Sequence, residues 1–248
     1  MREESPLDLD VPRDVGALFT TTLRLFGRHS GLFLSLTLLV VAPFTILVNG
    51  VWERGLTTGT RVSHLSLATA LVTIAVTFAM PVLVTALHAA AVRELGDGRV
   101  PSAGRALRIA GPRFLAAVAA VVGYSVMVFV GTLLLVVPGI WFLVRGFCAA
   151  QVVVIERVAP FEALDRSADL VSGRWWRTAG TLLVGWLVWT IAFTPVDLAI
   201  KTLHPGVLYI SLLTVSSAIE LSLSALFGTL LYFSLRARDR EQSPLVAA

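Results

Sequence analysis

Charge is what this sequence has least of. Of 248 residues only 15% are Asp, Glu, Lys or Arg, while 56% are hydrophobic. A water-soluble domain needs about 25% charged residues to cover its surface. The deficit excludes a soluble globular enzyme and an ordinary nucleic-acid-binding protein. Cysteine is nearly absent too. The single Cys148 excludes a disulfide within the chain and any cysteine-based metal site. Lysine is represented only by Lys201, so arginine supplies almost all of the net charge of +4. The four histidines, His29, His64, His88 and His204, are scattered along the chain. No metal cluster, phosphate loop or Ser-His-Asp grouping emerges from the spacing. No cofactor is expected, and neither is a metal site.

What the sequence does have is long apolar runs. A membrane-spanning helix needs about 20 apolar residues, and the mean hydropathy is +0.82. Stretches with little or no charge predict spans at Gly31–Trp52, Leu65–Val92, Phe114–Val137, Ile140–Glu156, Thr178–Ile200 and Leu208–Leu235, the fifth interrupted by Asp197 and the sixth by Glu220. Pro138-Gly139 is read as the tight turn between the third and fourth. The first thirty residues carry acids and no apolar core, so the first span is expected to direct insertion itself.

The basic residues alternate by loop. Sixteen arginines fall in the N-terminal segment, the 2–3 and 4–5 loops and the tail; Arg54, Arg61 and Lys201 fall opposite. The positive-inside rule then places both termini in the cytoplasm. The expected class is all-α: a polytopic protein of a bacterial inner membrane, with six transmembrane helices. Residues 1–11 and 237–248 read as disordered tails around one membrane domain, 12–236.

Three cytoplasmic segments have helical apolar periodicity. The first groups Leu18, Phe19, Leu23 and Phe26. The second, 102–109, sets Ala106, Leu107 and Ile109 against Arg105 and Arg108. The third sets Phe161, Leu164, Ala168 and Val171 against Glu162, Asp165, Arg166 and Asp169. Such helices are expected to lie in the interface plane. Trp175 and Trp176 would anchor the boundary beyond the third. In-plane helix, span, turn and return span then follow one another three times, starting near Pro12, Pro101 and Pro160, which suggests a three-fold repeat.

Residues 138–178 carry a family likeness. Pro138-Gly139-Ile140, Glu156, Ala163-Leu164, Arg166-Ser167, and Leu170 through Gly173 ahead of Arg174-Trp175-Trp176-Arg177 resemble the glycerophosphoryl diester phosphodiesterase membrane-domain family. That resemblance implies the six-helix fold. It implies no phosphodiesterase activity, because the separate barrel domain that carries it has no room here. On physical grounds, Ala163, Ser167 and Gly173 are small enough for close helix packing, and Arg166 can reach Glu162 or Glu156.

Charges inside spans are the default candidates for function, because each is costly in hydrocarbon. There are three: Arg145, Asp197 and Glu220. Arg145 and Asp197 match in depth and are expected to pair. Glu220 lies near the bilayer middle, level with Gln151 and Tyr124, and these three are expected to form a polar core site. The leading functional expectation is a non-catalytic membrane module: a scaffold, assembly or lipid-organising protein of the cell envelope. Its expected partners are anionic headgroups, and a protein at the cytoplasmic face. The alternative is a small transporter or lipid flippase working through Glu220.

Overall fold

A computed structural model describes residues 7–57, 67–203 and 206–246; side chains between 44 and 79 and beyond 241 are not described. Arg54, Arg61, His64, His204 and the polar loop beyond Thr57 therefore fall outside the side chains considered below. The described residues form helices and turns, with no strand. In order, the helices are α1 (Val15–Arg28), α2 (Ser30–Thr57), α3 (Leu67–Gly96), α4 (Ala103–Ala110), α5 (Phe114–Leu134), α6 (Val136–Gly146), α7 (Ala149–Glu156), α8 (Pro160–Val171), α9 (Trp175–Lys201) and α10 (Val207–Val246).

Local chemistry sets the boundaries. Asp14 caps α1 by accepting the Ala17 N–H at 2.7 Å, and Ser102 caps α4 by accepting from Arg105. Pro160 opens α8, where its missing N–H costs nothing. Gly173, at φ +72°, makes the left-handed turn into α9. A Cβ there would touch nothing within 4 Å, so backbone conformation rather than close packing explains this glycine.

Four helical segments among the described residues are long and apolar enough to cross a membrane: Ala103–Leu134, Val136–Glu156, Trp175–Lys201 and Val207–Glu241. A bent pair, Val15–Arg28 with Ser30–Pro43, qualifies jointly across an 88° turn. Burial sorts the four. Only 17% of the apolar window is buried in Ala103–Leu134 and in Trp175–Lys201, against 61% in Val136–Glu156. The α6–α7 segment is thus central, and α5 and α9 are peripheral. Their outward faces carry Val126, Phe129, Leu133, Trp186, Ile191 and Leu198, all exposed. An apolar surface this continuous suits lipid rather than water.

Several expectations are corrected. The turn between α5 and α6 is at Leu135, which is extended, and Pro138-Gly139 lies inside the first turn of α6. A proline is tolerated there because the first amides of a helix have no partner within it. The expected single helix 140–156 is interrupted at Phe147-Cys148, between α6 and α7. Moreover, α4 runs on into α5 without the sharp bend seen after α1, so the second unit does not follow the in-plane pattern.

The buried faces of the short helices also differ from the apolar stripes read above. Helix α8 buries Ala163, Ser167, Leu170 and Val171 and leaves Phe161 80% exposed. In α1 Leu18, Thr22 and Leu25 are buried and Leu23 is exposed; in α4 Ala106 and Ala110 are buried and Leu107 is exposed. On α4 and α8 the small residues Ala106, Ala110, Ala163 and Ser167 are buried, which lets the helix backbones come close. Finally, Ala237 to Arg240, assigned to a disordered tail, are helical and bonded to the rest of the protein.

Candidate functional site

The residues expected to form one polar core go to three places. Tyr124 faces α6, where its hydroxyl donates to the Leu143 carbonyl at 3.0 Å. Its ring lies over Gly146, where a Cβ would come within 2.1 Å of it. Gln151 is buried in α7 and faces α10 beside Gly228; its Oε1 has no protein partner. Glu220 is eight residues from Gly228 along α10, about 12 Å at 1.5 Å per residue. The expected Glu220–Gln151–Tyr124 grouping is therefore not assembled.

Arg145 and Asp197 do not pair either. Asp197 accepts a hydrogen bond from Ser216 on α10 at 2.8 Å. Arg145 lays its guanidinium over the Trp141 ring, 4.3 Å from the centroid. The reason is the turn at Leu135: α6 starts at Val136, so Arg145 is about 14 Å along it, nearer α8 than the α5–α6 turn.

Arg145 instead joins Tyr124 in one cavity. It has a volume of about 320 Å³ and lies where the α5–α6 hairpin meets α8. Met127, Trp141, Phe142, Phe161 and Leu164 give it an apolar wall, and Arg145 and Asp165 give it one charge of each sign. No carboxylate among the described residues comes within ion-pair distance of Arg145. Met127, Trp141 and Phe161 are exposed at its rim, so it opens on the apolar surface.

Ser167 builds the floor beneath this cavity. Its hydroxyl donates to the Arg145 carbonyl at 2.6 Å and receives the Cys148 N–H at 3.2 Å. One fully buried hydroxyl thus satisfies two backbone groups freed by the break between α6 and α7. The only sequence signal for this role was the smallness of Ser167. Trp175 donates its indole N–H to the Trp141 carbonyl at 3.4 Å, and Trp176 is 84% exposed.

Where α7, α8 and α10 meet, they form a charged cluster. Glu156 accepts from Arg166 at 3.1 Å and from the Tyr232 hydroxyl at 2.8 Å, with Arg236 4.0 Å away. Arg166 also reaches Asp239 at 2.9 Å. Of the two partners open to Arg166 by spacing, the structure takes Glu156, not Glu162. Burial opposes the Arg166 charge, but Asp239 and Glu156 outweigh it and hold the guanidinium above its ordinary value. Tyr232 and Asp239 in this cluster were not foreseen, because their partners lie more than seventy residues away.

The geometry defines an all-helical protein, with several helices able to cross a membrane and an amphipathic cavity open on the apolar surface. The chain belongs to the family described as Domain of unknown function (DUF7847), which matches residues 102–237. Every residue lining the cavity lies within that match. The match makes no link to the phosphodiesterase-associated membrane family resembled by residues 138–178. No curated protein and no solved structure matches the chain.

Proposed function

We propose that this protein is a non-catalytic, six-span module of a bacterial inner membrane, with both termini cytoplasmic, that holds and organises phospholipid. The observation that carries this reading is the cavity between α5, α6 and α8. It pairs an apolar wall with one guanidinium that lacks a carboxylate partner, a combination suited to a lipid phosphate with its chains along Met127 and Phe161. Asp165 at the same rim offers a counter-charge for the ammonium of a zwitterionic headgroup.

The test is lipid-dependent stability. Delipidated protein in detergent is melted with and without phosphatidylethanolamine. The unmodified chain should gain several degrees, and Arg145→Gln should lose most of that gain while its lipid-free melting temperature stays unchanged. An equal gain in the variant would rule the cavity out as the lipid site.

The transporter reading has one observation in its favour: Asp197, Ser216 and Glu220 place two carboxylates and a hydroxyl together on facing parts of α9 and α10. Glu220 lines none of the three pockets formed by Tyr124–Ala168, Val11–Glu241 or Arg13–Arg238. If Glu220→Gln changes substrate or proton flux in proteoliposomes, this reading replaces the first.

A further inference from the structure

A second site lies where α1, α9 and α10 meet, and it shares no residue with the cavity above. Arg174 and Arg177 sit at the start of α9, and Arg238 approaches from α10. No carboxylate among the described residues lies within ion-pair distance of any of the three. Arg174 and Arg238 are tied to backbone instead: Arg238 donates to the Arg13 carbonyl at 2.6 Å, and Arg174 to the Arg238 carbonyl at 3.2 Å. These bonds fix the guanidiniums without neutralising them. Asp14 and Glu241 line the same recess, so it carries both signs, with arginine in excess.

Two features point inward to a ligand. The first is the N-terminus of α9. No side chain caps it, so its leading amides have no intrahelical or capping partner. The second is Thr178. It is 2% exposed, and its hydroxyl has no hydrogen-bond partner. It lines a gap of about 10 Å³ shared with Arg13, Arg174, Arg177 and Arg238, room for one water. That gap lies against an open recess of about 720 Å³ lined by Arg13, Arg177 and Arg238. A buried hydroxyl behind three clustered guanidiniums and an uncapped helix start is an arrangement complementary to a tetrahedral oxyanion.

We propose that Arg174, Arg177 and Arg238, with the α9 N-terminus and Thr178 behind them, bind a phosphate group. Its source is either the phosphodiester of an anionic lipid headgroup or a free phosphate. Arg177, with no described hydrogen bond from its guanidinium, is the principal contact. Thr178 reaches the anion through the water-sized gap.

The test uses the full chain in nanodiscs of mixed phosphatidylglycerol and phosphatidylcholine, released and weighed by native mass spectrometry. Retained phosphatidylglycerol should exceed phosphatidylcholine. Arg177→Gln should cut that retention by about ten-fold, the equivalent of one charge-assisted contact. Thr178→Val, which keeps the shape, should cut it several-fold. Arg99→Gln, at an exposed pair with Asp97, should leave it unchanged. Melting temperatures of all variants check folding, and Thr178→Val serves if Arg177→Gln fails to fold. A parallel arm titrates inorganic phosphate and follows phenylglyoxal modification of Arg177 in lipid-free protein. Protection by phosphate without lipid preference assigns the site to a soluble anion; lipid preference assigns it to the headgroup. Equal retention of both lipids together with no protection by phosphate would overturn the proposal, as would retention unchanged in both variants with Arg177 protection unchanged in Thr178→Val. Arg145→Gln should not alter the Arg177 readouts, which keeps this outcome separate from that of the α5–α6–α8 cavity.

Discussion

Single buried hydroxyls hold much of this protein together, because the apolar core offers few other polar partners. Ser167 is the clearest case. Replacing it with Ala removes two hydrogen bonds and leaves the Arg145 carbonyl and the Cys148 N–H unsatisfied in a dry interior. Such a loss costs about 1–3 kcal/mol. Thermal melts of Ser167→Ala in detergent should show a clear drop; an unchanged melting temperature would mean that water replaces the hydroxyl. Thr37 and Ser222 act similarly between α2 and α10, 2.6 Å apart, with Ser222 reaching the Phe33 carbonyl. Tyr232→Phe removes a hydrogen bond to the Glu156 carboxylate, a class of interaction worth about 1.5–3 kcal/mol. Its effect should shrink in an Arg166→Ala background, since both groups share Glu156, and a double-mutant cycle measures that coupling.

At the scale of elements, glycines decide how closely helices approach. A Cβ on Gly139 would come within 2.9 Å of the Thr132 backbone and closer still to its hydroxyl. Gly131 answers it from α5, where a Cβ would be 3.1 Å from the Gly139 nitrogen. Gly139→Ala should therefore force α5 and α6 apart, lowering the melting temperature and widening the cavity at Arg145. Gly180 offers the contrast. It lies inside α9 with nothing within 4 Å of a Cβ, and alanine is the better helix former by about 1 kcal/mol. Gly180→Ala should be neutral or stabilising. If both substitutions behave alike in the same melts, close packing is not the role of Gly139. Helix α1 shows a related device. Phe19 enters between Trp189 of α9 and Phe227 of α10, with ring centroids 5.6 and 4.8 Å away, and Gly185 leaves room for the Phe227 ring. The helix read as lying in the membrane plane is thus docked by an aromatic wedge.

For the whole molecule, the proposed orientation gives a direct test. Cys148 is the sole cysteine and is buried, so engineered cysteines can be read against little background. In intact cells a membrane-impermeant maleimide should label Ser63→Cys at once, and Ser243→Cys only after permeabilisation; the reverse pattern would invert the topology. Much of this scale was legible from composition. Apolar runs of about twenty residues must be helical in lipid, because every backbone group needs an internal partner there. The apolar, charge-poor runs placed most helix boundaries to within a few residues. The sequence offered Arg166 both Glu162 and Glu156, and spacing alone did not choose between them. It could not choose partners across the bundle. Tyr232 finds Glu156, Asp239 finds Arg166, and Ser234 takes the Arg13 N–H at 2.8 Å, all over separations that no local pattern encodes. Equal depth was the only criterion for joining Arg145 to Asp197 or Tyr124 to Glu220, and depth leaves the direction around each helix open. The sequence by itself determined which segments are helical and which are apolar enough for a membrane, since both follow from local composition. The tertiary structure alone decided which polar groups meet, because that depends on helix rotation and on the small residues that set each crossing.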